Sequence, residues 1–381
     1  MRIRQGRIRK GIALAAIVLA TAATASCARD TGGTGGTGAG GAGTECTRNA
    51  PPAASGATTS TPLAPNADAS GLKVGMAYDI GGRGDQSFND SAAAGLERAI
   101  AELGLAQANT RELAAAPNES EDAAATRLRQ LVTDGFNPII AVGFKYASAV
   151  KTVATESPDV KFAIVDDSTV ELPNVTPLVF AEEQGSFLVG AAAALKTQTC
   201  KIGFVGGVET PLIEKFEAGY VAGAKAVAPN VQIDVKYLTP AGDFTGFNDP
   251  AKATVVAKGQ LDAGADVIYH ASGASGQGVF EAVNTAQKMA IGVDSDQYKT
   301  VPPPVNQVII TSMLKRVDNA VFDYINAVAG NTTGSLPKAF DLKVDGVGYS
   351  TSGGRIDDIV PQLDAYEGAI VAGSITVPTT P

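Results

Sequence analysis

From Leu72 onward the chain alternates short apolar runs with amphipathic, helix-length stretches, and that rhythm restricts it to parallel sheets covered by helices on both faces. The first run, Leu72-Lys-Val-Gly-Met-Ala-Tyr78, alternates like a strand. Residues 91–103 then place Ala94, Leu96, Ile100 and Leu103 at helical spacing. The unit recurs, with strands expected at 138–142, 160–165, 201–205, 231–238, 266–269, 290–293 and 308–314. Helices are expected at 146–156, 185–195, 213–228, 250–263, 278–289 and 317–329. So many strands require two sheets, and the natural division falls near Glu182. The class is α/β with two doubly wound lobes. In such sheets ligands bind beyond the carboxyl ends of the strands, so the residues that follow each strand carry the functional information.

After the first strand comes Asp79-Ile-Gly-Gly-Arg-Gly-Asp-Gln-Ser-Phe-Asn-Asp90. Its glycines lack the G-x-G-x-x-G spacing of a dinucleotide loop. Phe88 offers a flat apolar face, and Asn89 beside it both donates and accepts hydrogen bonds. Asp166-Asp167 follows the strand at 160–165. His270-Ala-Ser-Gly-Ala-Ser-Gly-Gln-Gly278 follows the strand at 266–269, with glycines that let backbone approach a ligand. No Gly-Lys-Ser/Thr follows them, so this is no nucleotide-hydrolysing loop. Asp294-Ser-Asp296 and Lys315 close the next two strands. Paired carboxylates of this kind serve acid–base chemistry or grip the hydroxyls of a sugar. With no nucleophile, base and orienting group together, gripping is the expectation, and no catalytic residue is assigned. His270, the only histidine, is read as structural; one histidine also excludes any metal site or relay that needs two.

The formal charge of −9 becomes −14 once residues 1–26 are set aside, because they hold five basic residues and no acid. A surface this acidic repels phosphate backbones, so nucleic acid is not expected as a partner. Residues 1–26 read as a signal peptide: a basic start, an apolar run from Gly11 to Ala20, and small residues before Cys27. Thr24-Ala-Ser-Cys27 resembles a lipobox, with Thr24 where that pattern has Leu, and marks Cys27 for lipidation and membrane attachment by the lipid alone. Residues 27–71, rich in Gly, Thr, Ala and Pro, read as a flexible tether. Cys46 and Cys200 remain as a pair for a disulfide in an oxidising compartment.

Several segments appear in an order that resembles one family. They are Val74-Gly-Met-Ala-Tyr-Asp79, Ser87-Phe-Asn-Asp90, Gly203-Phe-Val-Gly-Gly207, Glu214-Lys-Phe-Glu-Ala-Gly219, Asp249-Pro-Ala-Lys252, Gly292-Val-Asp-Ser-Asp-Gln297 and Thr311-Ser-Met-Leu-Lys-Arg316. The family is that of basic membrane proteins, also called purine nucleoside receptor A-like lipoproteins. The resemblance implies a type I periplasmic-binding-protein fold whose chain crosses between lobes near Glu182, Ile310 and Gly330. Lobe 1 is then 72–181 with 311–330, and lobe 2 is 182–310 with 331–375. It implies a monomeric, non-enzymatic receptor for an ABC importer permease, without cofactor or metal, binding a purine nucleoside. Phe88 and a second ring, Phe244 or Phe247, would sandwich the base. The segment Gly242-Asp-Phe-Thr-Gly-Phe-Asn248 is longer than the Gly-Ser-Phe usual in the family, so both phenylalanines stand as candidates. Asp79, Asn89 and Asp166 would address the base and nearby ribose atoms. Asp294 and Lys315 would hold the ribose hydroxyls, with backbone of Gly276 and Gly278 close by. A sugar or signal molecule is the alternative cargo, and an extracytoplasmic nucleoside hydrolase the alternative activity.

Overall fold

A computed structural model describes residues 46–53, 65–116 and 119–381. The signal peptide, the lipidation of Cys27 and most of the tether lie outside the described residues.

The first lobe runs β1 (Val74–Tyr78), α1 (Phe88–Glu102), β2 (Thr110–Ala114), α2 (Glu121–Thr133), β3 (Ile139–Ala141), α3 (Ala147–Glu156), β4 (Phe162–Val165) and β5 (Val175–Leu178). The second opens with α4 (Glu182–Lys196), β6 (Lys201–Val208), α5 (Pro211–Val227), β7 (Gln232–Thr239) and α6 (Pro250–Asp262). It continues with β8 (Val267–Ala271), α7 (Gly276–Thr285), β9 (Met289–Asp294), α8 (Gln297–Thr300) and β10 (Ile309–Lys315). Then come α9 (Val317–Ala329), β11 (Val347–Tyr349) and α10 (Val360–Val371).

The sheets have orders β2-β1-β3-β4-β5 and β7-β6-β8-β9-β10-β11, parallel except for β11. Each therefore reverses direction between its first and third strands, β1/β3 in one lobe and β6/β8 in the other. A crevice forms at such a reversal because the flanking crossovers leave to opposite sides.

Three segments link the lobes. One runs through Phe180, whose ring lies 5.3 Å from that of Phe340 on the returning segment. In chain order the second crossing falls at Arg316 and the third is the returning segment at Phe340, ten residues beyond the expected Gly330. Residues 311–315, expected in lobe 1, pair with β9 in the second sheet, because the apolar run of β10 continues to Lys315 before the chain turns into α9. Helix α9 itself packs on α1 in the first lobe.

Small residues set the spacing of the second lobe. A Cβ on Gly219 would stand 2.1 Å from Glu183 O and one on Gly223 1.9 Å from Phe187 O, so α4 and α5 touch backbone to backbone. The core extends from α1 and α9 through the hinge to α4 and α5, with separate clusters under the outer helices of each lobe.

The two described pieces of the tether are docked, which corrects the reading of 27–71 as free chain. Cys46 is bonded to Cys200 at the head of β6. Arg48 donates to Ala194 O (3.1 Å) and Thr197 O (2.7 Å), groups left without helical partners at the end of α4. Ala67 N donates to Asn326 Oδ1 (2.7 Å) and Ala69 N to Leu103 O (2.8 Å), both on the first lobe. Composition missed this because the anchoring groups are mostly backbone amides and polar side chains, with only small residues such as Ala69 reaching the core. The bridge joins positions 154 apart. Cys46→Ser is expected to lower stability by roughly 2–4 kcal/mol, chiefly by freeing the unfolded chain. Urea unfolding with and without reductant checks this, and a midpoint equal to wild type would contradict it.

Candidate functional site

The strand ends of both lobes meet in a cleft of about 610 Å³. From the first lobe it receives Asp79 after β1, Gly143 and Phe144 after β3, and Asp166 after β4. Asp85 comes from the loop before α1, and Phe88 and Asn89 from the first turn of that helix. The second lobe supplies Phe216 of α5, Phe247, Ala271 and Gly273 after β8, Asp294 and Lys315.

A chain of buried charges crosses the cleft floor. Lys315 Nζ lies 2.6 and 2.7 Å from the two carboxylate oxygens of Asp166 and 3.4 Å from Glu182 Oε1. The three side chains are 2%, 5% and 1% exposed, too little for water to solvate the charges. Glu182 Oε2 faces Lys215 Nζ at 3.2 Å. Burial pulls the Lys315 ammonium down, but Asp166, Glu182 and Asp294 outweigh it and hold the group charged, above its ordinary value. Burial pushes Asp166 up, opposed by Lys315. The ammonium also lies 5.1 Å from the Phe88 ring and 5.6 Å from that of Phe216.

Asp166 and Asp294 both have left-handed backbone, φ 68° and 63°. Aspartate tolerates that region better than most residues. Its use at a strand's end turns each carboxylate into the cleft, a placement that costs backbone energy and recurs at functional sites. Burial pushes Asp294 up to about 6, with Lys315 and the Ser87 hydroxyl pulling the other way. Asp79 is also pushed up to about 6 by burial, against the amide of Ile80, which donates to its Oδ1 at 2.7 Å.

The lobes touch through hydrogen bonds at one rim. Ser87 Oγ donates to Asp294 Oδ2 (2.7 Å), Ser295 Oγ to Ser87 O (2.8 Å) and Gln297 Nε2 to Gln86 O (3.1 Å). His270 stands behind this latch. Gln297 Oε1 accepts from Val293 N (2.8 Å), so His270 Nε2, 3.0 Å away, carries the proton that it shares with Oε1. Burial pushes His270 down to about 4, and its ring packs edge-on against Phe280. It is a neutral prop, far from the role of a proton relay.

Seven of the expected ligand residues line the cleft: Asp79, Phe88, Asn89, Asp166, Phe247, Asp294 and Lys315. Asn89 is also a fastener, accepting from Asp79 N (3.1 Å) and donating to Asp85 (3.1 Å). Phe244 does not line the cleft; it stands at the mouth, against Phe144. Gly276 and Gly278 are corrected as well. A Cβ on Gly276 would lie 2.0 Å from the His270 ring and one on Gly278 1.9 Å from Pro250 O, so they are small to let α7 pack, and Ala271, Gly273 and Ala274 take their place in the wall. Asp167 and Asp296 turn away, toward Thr169 and toward Ser352 and Lys299, so neither doublet forms a carboxylate pair. Sequence reading missed Asp85, Ser87 and Glu182 as site residues. It missed Gly143 and Phe144 too, although their place directly after an expected strand was a signal that could have found them.

Two doubly wound lobes, three linking segments and a cleft of aromatic and charged side chains define a solute-binding protein of the type I periplasmic fold. Residues 72–380 match the family model of the PnrA-like ABC transporter substrate-binding proteins, Bmp, and the chain belongs to that family. It is 38% identical over 327 residues to the CD4+ T-cell-stimulating antigen of Listeria monocytogenes, covering 81% of this chain and 88% of that one. To the ABC transporter nucleoside-binding protein BmpA of Lactococcus lactis it is 33% identical over 324 residues, covering 81% and 89%. A solved solute-binding protein of an Aeropyrum pernix ABC transporter superposes with a TM-score of 0.64 at 28% identity, covering 80% and 86%. The family is one of transport receptors, not of enzymes.

Proposed function

We propose that the chain is the lipid-anchored receptor of an importer for nucleosides, purine nucleosides first. The observation that carries this is the joining, in one cleft between the lobes, of flat apolar rings with buried carboxylates and a buried ammonium. Phe88 and Phe247, one from each lobe, supply faces for a base. Asp294, Asp166 and Lys315 supply acceptors and a donor for the hydroxyls and ring oxygen of a ribose. The likeness to a nucleoside-binding protein supports the same cargo. Stacking contributes roughly 1–3 kcal/mol per ring on other aromatic platforms, and each hydroxyl–carboxylate bond roughly 1.5–3 kcal/mol, enough for micromolar binding after the cost of closing the lobes. Closure about the three crossings would mark the loaded form for the permease, and lipid on Cys27 would hold the receptor at the membrane.

A thermal-shift panel of nucleosides, free bases and pentoses on ligand-free protein tests the reading, because a ligand of the native state raises Tm by mass action. Nucleosides are expected to raise Tm where bases or ribose alone do not. Phe88→Ala and Phe247→Ala are each expected to weaken nucleoside binding by roughly 5- to 150-fold. No shift with any nucleoside sinks the cargo. A shift with sugars, unchanged in Phe88→Ala, points instead to a sugar held by the carboxylates alone.

A further inference from the structure

The turn Phe244–Phe247 carries two phenylalanines three positions apart, and only one of them faces the cleft. Side chains at that separation in a turn of this type project to the same side, one above the other. Phe247 lies deeper, its ring filling the space where a Cβ on Gly207 would stand (2.6 Å). Phe244 reaches over the mouth to the opposite lobe. Its ring centroid lies 5.8 Å from that of Phe144 at an interplanar angle of 61°, the edge-to-face arrangement that aromatic pairs favour. Lys145 Nζ stands 4.6 Å from the same centroid. Both partners leave the end of β3 in the first lobe, whereas Phe244 follows β7 in the second. Asp243 Oδ1 accepts from Thr245 N (3.1 Å) and steadies the turn.

We propose that Phe244 is a retention residue: by clasping Phe144 and Lys145 across the mouth it covers the loaded cleft and sets how slowly ligand leaves. The two phenylalanines then divide one task, Phe247 touching the ligand and Phe244 touching only the other lobe. Ligand enters while the lobes stand apart and the clasp is open, so the clasp acts on dissociation and leaves association alone. This inference rests on the cleft being the ligand site, and it uses purine nucleosides as probes.

Stopped-flow kinetics with adenosine, guanosine and inosine decide it. Phe244→Ala is expected to raise the dissociation rate roughly 5- to 30-fold with the association rate unchanged. Phe144→Ala combined with Phe244→Ala should release ligand more slowly than the product of the two single effects, since both variants remove the same ring contact. An unchanged dissociation rate in Phe244→Ala, or fully additive effects in the pair, overturns the clasp. If wild type binds none of the three nucleosides, the purine reading falls by itself. Amide exchange of residues 143–147 in the ligand-free protein then decides: faster in Phe244→Ala upholds the clasp, and equal rates overturn it.

Discussion

Lys315→Ala is expected to lower the stability of the ligand-free protein by roughly 3–5 kcal/mol, the cost of leaving buried charge without its partner. Asp166 and Glu182 are both almost fully buried around the ammonium; Glu182 also pairs directly with Lys215, which acts on Asp166 only from a greater distance. The loss should depend on pH in a definite direction. Burial already holds Asp166 above the unfolded carboxylate range, and removal of Lys315 raises it further. A carboxyl group with a raised folded pKa favours the fold below its unfolded pKa and loses that contribution as pH rises through the folded value. The deficit of Lys315→Ala is therefore largest at neutral pH and shrinks on acidification. Adding Asp166→Asn should recover part of it at neutral pH. Urea unfolding of the two variants from pH 4.5 to 7.5 measures both effects. A deficit under 1 kcal/mol at pH 7 would remove the charge chain from the account of how the lobes are joined.

Asp294→Asn is expected to weaken nucleoside binding by roughly 10- to 150-fold, the worth of a hydrogen bond to an ionised group, while leaving ligand-free unfolding near wild type. Asparagine is the informative replacement. It tolerates φ 63° and retains an oxygen for the Ser87 hydroxyl, whereas alanine keeps neither advantage and would confuse binding with strain. The same carboxylate sets a pH response. Burial pushes Asp294 up to about 6, and a ligand hydroxyl that donates to it selects the ionised form. Affinity should be flat above pH 7 and fall below pH 6, toward a limit of about tenfold per pH unit for one displaced proton. Calorimetry across that range, on wild type and Asp294→Asn, separates this response from that of Asp79. A variant that binds like wild type would exclude Asp294 from gripping the sugar.

Much of this architecture was legible because its signals are local. The apolar runs of β1, β4, β6 and β9 are almost wholly buried and stand out at any register, and β1, β4 and β9 each lead to an aspartate that the fold places at the cleft. Strand β2 was not legible. It is an edge strand, Thr110–Ala114, with no fully buried residue, so its composition resembles a loop. Helix α10 and strand β11 were missed for the related reason that glycine-rich irregular chain surrounds them. Cys46–Cys200 was a chemical expectation from cysteine count and compartment; the observed bond joins the tether to the second lobe.

What the order of residues determined alone was the alternation of strand and helix, the division into two lobes, and the presence of Asp79, Phe88, Asp166, Asp294 and Lys315 at strand ends or just beyond. Each of these depends on neighbours within one turn or one strand. The tertiary structure alone decided which phenylalanine enters the cleft, that Gly276 and Gly278 serve packing, and that Glu182 joins the charge chain. It also decided that Ser87 meets Asp294 across 207 positions of sequence. Those outcomes depend on how two lobes close on each other, and the distance between residues on opposite lobes is set by packing at the hinge, which no local pattern encodes.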